Sequence, residues 1–305
     1  MAAIEEVTIN CSTSAFKPAF KTLNVPYTAG ANKLFLLLET LKGNGDARCI
    51  IYLQPWAASF HPSSFKRSNS TKDNLSIEAC WLIVSLVCSI AAMFRKPNRS
   101  NPYSFNENDW TDENWKEGVN DYFLSKTKAE KASWELMESK GLKNKLTMIN
   151  PGGVFGDALD KKGGTSIEYV RQFMKGKFPA APKWGILISD VKDVAKAHVA
   201  CIGNTKVGGR RLIVGKEVKK LIELSQIMAE AMPEYAKKLP KKELPNFMVK
   251  LISLFDSSAK TLIPDLEIVM QTDTTYAEEL LGLKFNPAKG CISETAKSVV
   301  RLWLV

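Results

Sequence analysis

Short apolar runs and stretches of helical periodicity alternate along much of this chain. Residues 82–89, 146–149 and 185–189 are apolar runs of the length typical of buried strands. A helical stretch begins near residue 121. Asp190 is a candidate N-cap of a second helical stretch, which has Val194, Ala197 and Cys201 at helical spacing. This alternation predicts an α/β fold with a doubly wound, Rossmann-like parallel sheet and helices on both faces.

The two ends of the chain extend this pattern differently. Near the N-terminus, residues 24–28 and 49–53 predict strands, residues 32–41 a helix and residues 43–45 a turn. After Gly208 the chain is predicted to be mostly helical, with helices over 219–231, 245–255 and 293–302. The sequence therefore predicts a sheet with a smaller, mostly helical C-terminal region.

Tyr122 and Lys126 stand four residues apart at the start of the first long predicted helix. Residues at i and i+4 share a helix face, so the phenol and the ammonium would be neighbours. A neighbouring cation favours the phenolate, which suits a tyrosine that exchanges a proton with a carbonyl or alcohol oxygen. Taken alone, the spacing fits equally an amphipathic helix with a surface lysine.

Several segments accompany this pair in a fixed order. They are residues 86–92, 122–130, 150–156, 190–198, 243–247, 255–256 and 280–287. With these segments, the chain from about residue 80 onward resembles the extended short-chain dehydrogenase/reductases of the NAD-dependent epimerase/dehydratase superfamily. It is most similar to the dihydroflavonol-4-reductase-like branch.

The resemblance implies roles for individual residues. Tyr122 would be the general acid/base, Lys126 would hold the nicotinamide ribose, and Ser89 would orient the substrate oxygen. Pro151, Gly152 and Val154 would line the nicotinamide pocket. For Ser89, an ordinary hydroxyl at a strand end remains the alternative.

The family's glycine-rich phosphate cradle is degenerate here. The best counterpart is residues 7–17, where Cys11, Ser14 and Lys17 replace the expected glycines. Glycine lets the backbone approach a pyrophosphate closely, and a side chain obstructs that approach. Cys11 and Ser14 are therefore the weakest candidates for cofactor binding.

The resemblance implies a division of the chain and a reaction. Residues 1–156 would form the dinucleotide-binding domain (degenerate in 1–75), 157–182 an insert of the substrate region, 183–214 a return to the sheet, and 215–305 the substrate-capping region. The expected activity is an NADP(H)- or NAD(H)-dependent interconversion of a ketone or aldehyde with an alcohol. A non-catalytic relative without cofactor binding and a nucleotide-sugar epimerase or dehydratase remain alternatives.

Composition narrows the remaining possibilities. The formal net charge is +10, but no basic stripe with interleaved aromatic residues is present, which disfavours nucleic-acid binding. The lysines at 216–220 and 237–242 are interpreted as solvated helix ends or loops. With six dispersed cysteines and two histidines, zinc-ligand spacing is absent.

The remaining expectations concern location, partners and one histidine. The longest apolar run, residues 79–94, is shorter than the roughly 20 residues that span a bilayer. The first residues lack a secretory pattern. Four of the cysteines lie in apolar surroundings and are expected to be reduced, which favours a cytoplasmic location. The resemblance implies a small carbonyl or alcohol substrate and a homodimer paired through the tyrosine helix. His198 is interpreted as a structural, hydrogen-bonding residue.

Overall fold

The computed structural model describes residues 35–41, 47–53, 84–159, 161, 164–202, 204–302 and 305. Twelve strands lie within these ranges. In chain order they are β1 (Phe35–Leu41), β2 (Ala47–Leu53), β3 (Val84–Val87), β4 (Tyr103–Ser104), β5 (Leu146–Pro151), β6 (Gly153–Phe155), β7 (Ala181–Pro182), β8 (Gly185–Asp190), β9 (Arg210–Val214), β10 (Glu217–Lys220), β11 (Glu243–Leu244) and β12 (Met270–Gln271).

Eight α-helices are found in the same ranges, and most of them lie in the C-terminal part of the chain. In chain order they are α1 (Asp121–Ser139), α2 (Thr165–Met174), α3 (Val191–Cys201), α4 (Leu221–Ala231), α5 (Asn246–Ile252), α6 (Ser257–Lys260), α7 (Thr275–Leu281) and α8 (Ala288–Arg301). The structure confirms the prediction of a mostly helical C-terminal region, although α5 is shorter than predicted and α8 begins earlier.

The main sheet has the strand order β1-β2-β3-β5-β9. Its last three strands are parallel, with Val87 opposite Ile149 and Ile149 opposite Leu212. Parallel strands need crossover connections, and helices occupy those connections here. The prediction of a parallel sheet is therefore confirmed for β3, β5 and β9.

Helices cover both faces of these parallel strands. Met148 and Leu86 point to one face, where Trp134 of α1 packs against them. Ile149 points to the opposite face, into a cluster with Ala197 of α3. Because successive side chains of a strand alternate between faces, a strand covered on both sides is apolar throughout. This explains why the start of β5 is mostly apolar and why every residue of the strand is buried.

The prediction for the chain before β3 is wrong in one respect. Residues 32–41 were expected to be helical, but Phe35–Leu41 form a strand that pairs antiparallel with Ala47–Leu53. β2 in turn pairs antiparallel with β3. A short apolar run does not distinguish a strand from a buried helix by periodicity, and the glycines at residues 43 and 45 of the sequence are typical of the loop of a hairpin. The predicted strand at 49–53 is confirmed.

A second sheet, with the order β10-β8-β6, lies beside helices of the C-terminal part. Its core contains Phe155 and Ile188, which belong to one apolar cluster with α2, α4 and α8. Asp190 ends β8 and caps α3, because its side chain accepts a hydrogen bond from the Lys192 backbone N–H at 2.8 Å. The predicted N-cap is therefore confirmed, and it fixes the turn from sheet to helix.

Candidate active site

Two of the candidate segments meet at the carboxyl edge of the parallel strands. Ser89 follows β3 and Asn150 lies near the end of β5, with the Cys88 N–H bonded to the Ile149 carbonyl at 2.8 Å. The Asn150 side-chain amide donates to the Ser89 carbonyl at 3.3 Å. In open α/β sheets this edge is where ligands bind.

Ser89 is held by the turn that it begins. It is the N-cap of a short 3-10 helix over Ile90–Ala92, and its Oγ accepts a hydrogen bond from the Ala91 N–H at 3.1 Å. This bond uses only an acceptor lone pair of the hydroxyl. The hydroxyl hydrogen is therefore still available to donate to a ligand oxygen.

Helix α1 carries the other two catalytic candidates. It begins at Asp121, where the Asn120 side chain accepts a hydrogen bond from the Phe123 N–H at 3.2 Å. Tyr122 and Lys126 share a face, and the Lys126 Nζ lies 5.9 Å from the centroid of the Tyr122 ring. The tyrosine side is open, with Tyr122 39% exposed, whereas Lys126 is only 5% exposed.

A sulfur contact ties α1 to the strand edge. The Cys88 Sγ lies 3.5 Å from the Lys126 carbonyl oxygen. Since Cys88 immediately precedes Ser89, this contact places the Lys126 backbone beside the segment that carries the serine. The structure thus brings the segments of all three predicted catalytic residues together.

The charge of Lys126 is buried without a matching carboxylate among the residues that the structure describes. None of the ion pairs between described residues includes Lys126, whereas Lys131 on the same helix pairs with Glu113 at 2.6 Å. Burying an ammonium is costly unless hydrogen-bonding partners are supplied. A polar ligand such as a ribose, with several hydroxyl acceptors, suits this position, so the residues present fit the nicotinamide end of a dinucleotide.

A buried hydrogen-bond network next to this site was not predicted from the sequence. Glu130, one turn beyond Lys126, accepts hydrogen bonds from Asn150 Nδ2 at 2.7 Å and from Arg211 Nε at 2.6 Å. The Arg211 guanidinium also lies over the Trp110 ring, 3.9 Å from its centroid. Because Asn150 also bonds the Ser89 carbonyl, the network connects α1 to the strand end that carries the serine.

The candidates for the nicotinamide pocket lie where β5 passes into β6. Pro151 ends β5 and is buried, while Gly152 and Val154 are half-buried. The Gly152 N–H donates to Ser189 Oγ at 2.9 Å. A Cβ at Gly152 would stand 2.1 Å from the Leu187 carbonyl oxygen, so only glycine fits between these strands. The three residues share the strand edge with Ser89, and their contact with a cofactor stays a prediction.

Two further predictions concern the phosphate cradle and the role of His198. Cys11 and Ser14 lie outside the described residues. His198 is buried, its Nδ1 is 2.7 Å from the Ser85 hydroxyl, and burial lowers its pKa to about 4. The prediction that His198 is a structural, hydrogen-bonding residue is confirmed.

The described residues contain neither a candidate metal centre nor a candidate membrane span. No group of three or more His, Cys, Asp or Glu side chains within them could hold a metal ion. Among the described helices, none combines the length and apolarity needed to cross a membrane.

Comparison with known proteins gave related reductases but no matching protein-family model. The NADPH-dependent methylglyoxal reductase GRE2 of Saccharomyces cerevisiae is 30% identical over 234 residues, which are 72% of this chain and 63% of that protein. Cinnamoyl-CoA reductase 1 of Petunia hybrida is 28% identical over 227 residues, covering 74% of this chain and 62% of the relative. The chain thus spans less than two thirds of these relatives.

Solved structures agree with the fold. The crystal structure of the yeast methylglyoxal/isovaleraldehyde reductase Gre2 complexed with NADPH matches with a TM-score of 0.54 and 27% identity, covering 72% of this chain and 64% of that chain. Vestitone reductase from alfalfa (Medicago sativa) matches with a TM-score of 0.53 and 19% identity, covering 72% and 64%. The second likeness concerns the fold alone.

Proposed function

Because the chain belongs to the extended short-chain dehydrogenase/reductases, we propose that it is an NADP(H)-dependent carbonyl reductase of the dihydroflavonol-4-reductase-like kind. Its reaction interconverts a ketone or aldehyde with an alcohol. Support for NADP(H) comes from the yeast relative, which is NADPH-dependent and was crystallised with NADPH.

Each candidate residue has a defined task in this reaction. A nicotinamide cofactor, when bound, would supply the hydride for this reaction. Tyr122 gives its phenolic proton to the carbonyl oxygen, and in the reverse direction it takes the proton from the alcohol. Ser89 donates a hydrogen bond to the same oxygen and so fixes its position. Lys126 would donate hydrogen bonds to the ribose hydroxyls of the cofactor.

The buried ammonium of Lys126 is the observation that carries this proposal. A cation with 5% exposure and no ion-pair partner among the described residues fits a binding role better than a role in surface solubility. Tyr122 is 39% exposed, and its ring centroid lies 5.9 Å from the Lys126 Nζ. The Lys126 carbonyl in turn lies 3.5 Å from the Sγ of Cys88, the residue before Ser89. The arrangement therefore offers a proton donor on the open side and a cation on the closed side.

Substitution of the phenol tests the reaction. Tyr122→Phe removes the transferable proton and keeps the ring, so turnover of a panel of aldehydes and ketones with NADPH should fall by at least about 100-fold. Tyr276→Phe is a matched control, because Tyr276 is 37% exposed and lies on α7. The control should keep parental turnover, and both variants should keep the parental melting temperature.

The other outcomes separate the alternatives. Equal turnover by the parent and Tyr122→Phe would show that the Tyr122 hydroxyl takes no part in the reaction. A well-folded parent that binds neither NADPH nor NADH would instead favour a non-catalytic relative. Conversion of a nucleotide sugar without net consumption of cofactor would indicate epimerase or dehydratase chemistry on the same fold.

A further inference from the structure

An open pocket lies between two lysine-rich segments, residues 175–179 and 237–242, and is called the basic pocket below. Its volume is about 570 Å³. Five lysines line it, and Leu239 contributes a buried apolar surface. These lysines are Lys175, Lys237, Lys238, Lys241 and Lys242.

The positive charge of the basic pocket is not neutralised within the described part of the chain. Neither lining segment contains an acidic residue. No ion pair of the described residues includes any of the five lysines, although lysines nearby in the chain are paired. For example, Lys219 lies 2.6 Å from Glu217, and Lys183 lies 2.9 Å from Glu267. Five like charges around one pocket create a local potential that attracts anions.

The backbone around the basic pocket is fixed before any ligand arrives. Gly176 has a left-handed φ of 73°, and a Cβ built on it would lie 3.4 Å from the Lys238 Cβ, so the two segments pack closely. The Ala181 N–H donates to the Lys242 carbonyl at 3.0 Å, and the Ser225 hydroxyl donates to the Pro240 carbonyl at 2.6 Å. A ligand therefore meets lysines whose Cα positions are already set, which lowers the entropic cost of binding.

We propose that the basic pocket binds a ligand that carries at least two neighbouring phosphate groups. Several lysines, each a compact cation with three donors, suit the many oxygens of a polyphosphate. The pocket has the volume of a small-molecule site, and the described lysines converge on it from two segments instead of forming a stripe. It shares no lining residue with the candidate active site, so the two functions can be tested separately.

Calorimetry with inorganic tripolyphosphate tests the proposal on the full chain. The pocket variant replaces four lysines by glutamine: Lys237→Gln, Lys238→Gln, Lys241→Gln and Lys242→Gln. A control variant removes the same charge from four exposed lysines that form no ion pair among the described residues: Lys116→Gln, Lys140→Gln, Lys284→Gln and Lys297→Gln. The pocket variant should bind at least about tenfold more weakly than the parent, while the control keeps parental affinity.

A vesicle assay distinguishes a soluble polyphosphate ligand from a phosphorylated lipid headgroup. Vesicles of phosphatidylcholine with and without a bisphosphorylated phosphoinositide are sedimented with the parent and with both variants. Pocket-dependent binding to tripolyphosphate alone indicates a soluble ligand, and pocket-dependent binding to phosphoinositide vesicles indicates a lipid headgroup. The proposal is overturned if the parent binds neither probe, or if both variants lose binding equally, because net charge alone then explains the attraction. Parental melting temperatures in both variants show that folding is intact.

Discussion

The side chains of Asp, Glu, Lys, Arg and His are distributed unequally between two regions of the molecule. In the sheet region, residues 84–156 and 183–214, seven of them are buried: Arg95, Lys126, Glu130, Asp190, Asp193, His198 and Arg211. The helical region comprises residues 157–182 and 215–305. Among its described residues, Asp265 is the one side chain of these five types that is buried, and it pairs with Arg95 and Arg99 of the sheet region.

The two cores differ accordingly. The cluster between α2, α4 and α8 is apolar, and its polar neighbours Ser225, Thr295 and Ser298 are hydroxyl residues whose bonds go to backbone groups. Buried charges are expensive to desolvate and stabilise a fold only when every partner is present. The sheet region should therefore be sensitive to pH and to isosteric substitution, and the helical region should respond mainly to changes in volume.

The largest expected difference concerns two glutamates. Glu130→Gln leaves the buried Arg211 without its carboxylate, so the free energy of unfolding should fall by about 3–5 kcal/mol. Glu230→Gln on α4 breaks an exposed pair with Lys289 and should cost no more than about 1 kcal/mol. Urea denaturation of both variants measures the two values. Similar losses at both positions would contradict the contrast between the regions.

Acid should weaken the sheet region through His198. Burial lowers the pKa of His198 to about 4 in the folded protein, whereas an unfolded histidine titrates near 6.5. The free energy of unfolding is therefore unaffected by this residue above pH 6.5. It falls as the pH drops from 6.5 toward 4, because in that range the unfolded protein binds a proton at His198 and the folded protein does not. The loss attributable to this residue is about 3 kcal/mol.

Urea denaturation at pH 7 and pH 4.5 measures this effect by comparison of the parent with His198→Asn. The parent should lose more stability on acidification than the variant does. An equal loss in both proteins would show that His198 is not the group responsible.

The smallest expected difference in stability between the two regions concerns alanine substitutions at two glycines. Gly152→Ala places a methyl group against the Leu187 carbonyl, and overpacking of this kind costs about 1–3 kcal/mol. Gly290→Ala lies within α8 with open space around the added Cβ, and should gain about 0.5–1 kcal/mol because alanine favours a helix. Melting temperatures should therefore move in opposite directions. A stabilised Gly152→Ala would show that the close approach of β5 and β8 is wrong.

Local patterns in the sequence predicted much of the structure. The helix at Tyr122 and Lys126, the strand ending near Asn150 and the cap at Asp190 are confirmed, because each depends on neighbouring residues. The helix predicted over residues 32–41 is wrong, since periodicity does not separate helix from strand in a continuous apolar run.

The buried network could not be predicted from spacing alone. Glu130 and Arg211 are 81 residues apart in the chain, and they meet because α1 packs on the sheet in which β9 pairs with β5. One signal was available, because Glu130 follows Lys126 by four residues and so lies on the same face of α1 as Tyr122. Lys175 and residues 237–242 form the basic pocket through the same kind of long-range contact.

Cofactor titration tests the central claim, that the α1 face beside Ser89 holds a nicotinamide nucleotide. Tryptophan fluorescence of the full chain, which has seven tryptophans, is followed while NADPH or NADH is added. The parent should show saturable binding, tighter for NADPH, and Lys126→Gln should bind at least about tenfold more weakly because the buried ammonium is lost. Absence of saturable binding by a folded parent, or equal affinities of the parent and Lys126→Gln, would contradict it.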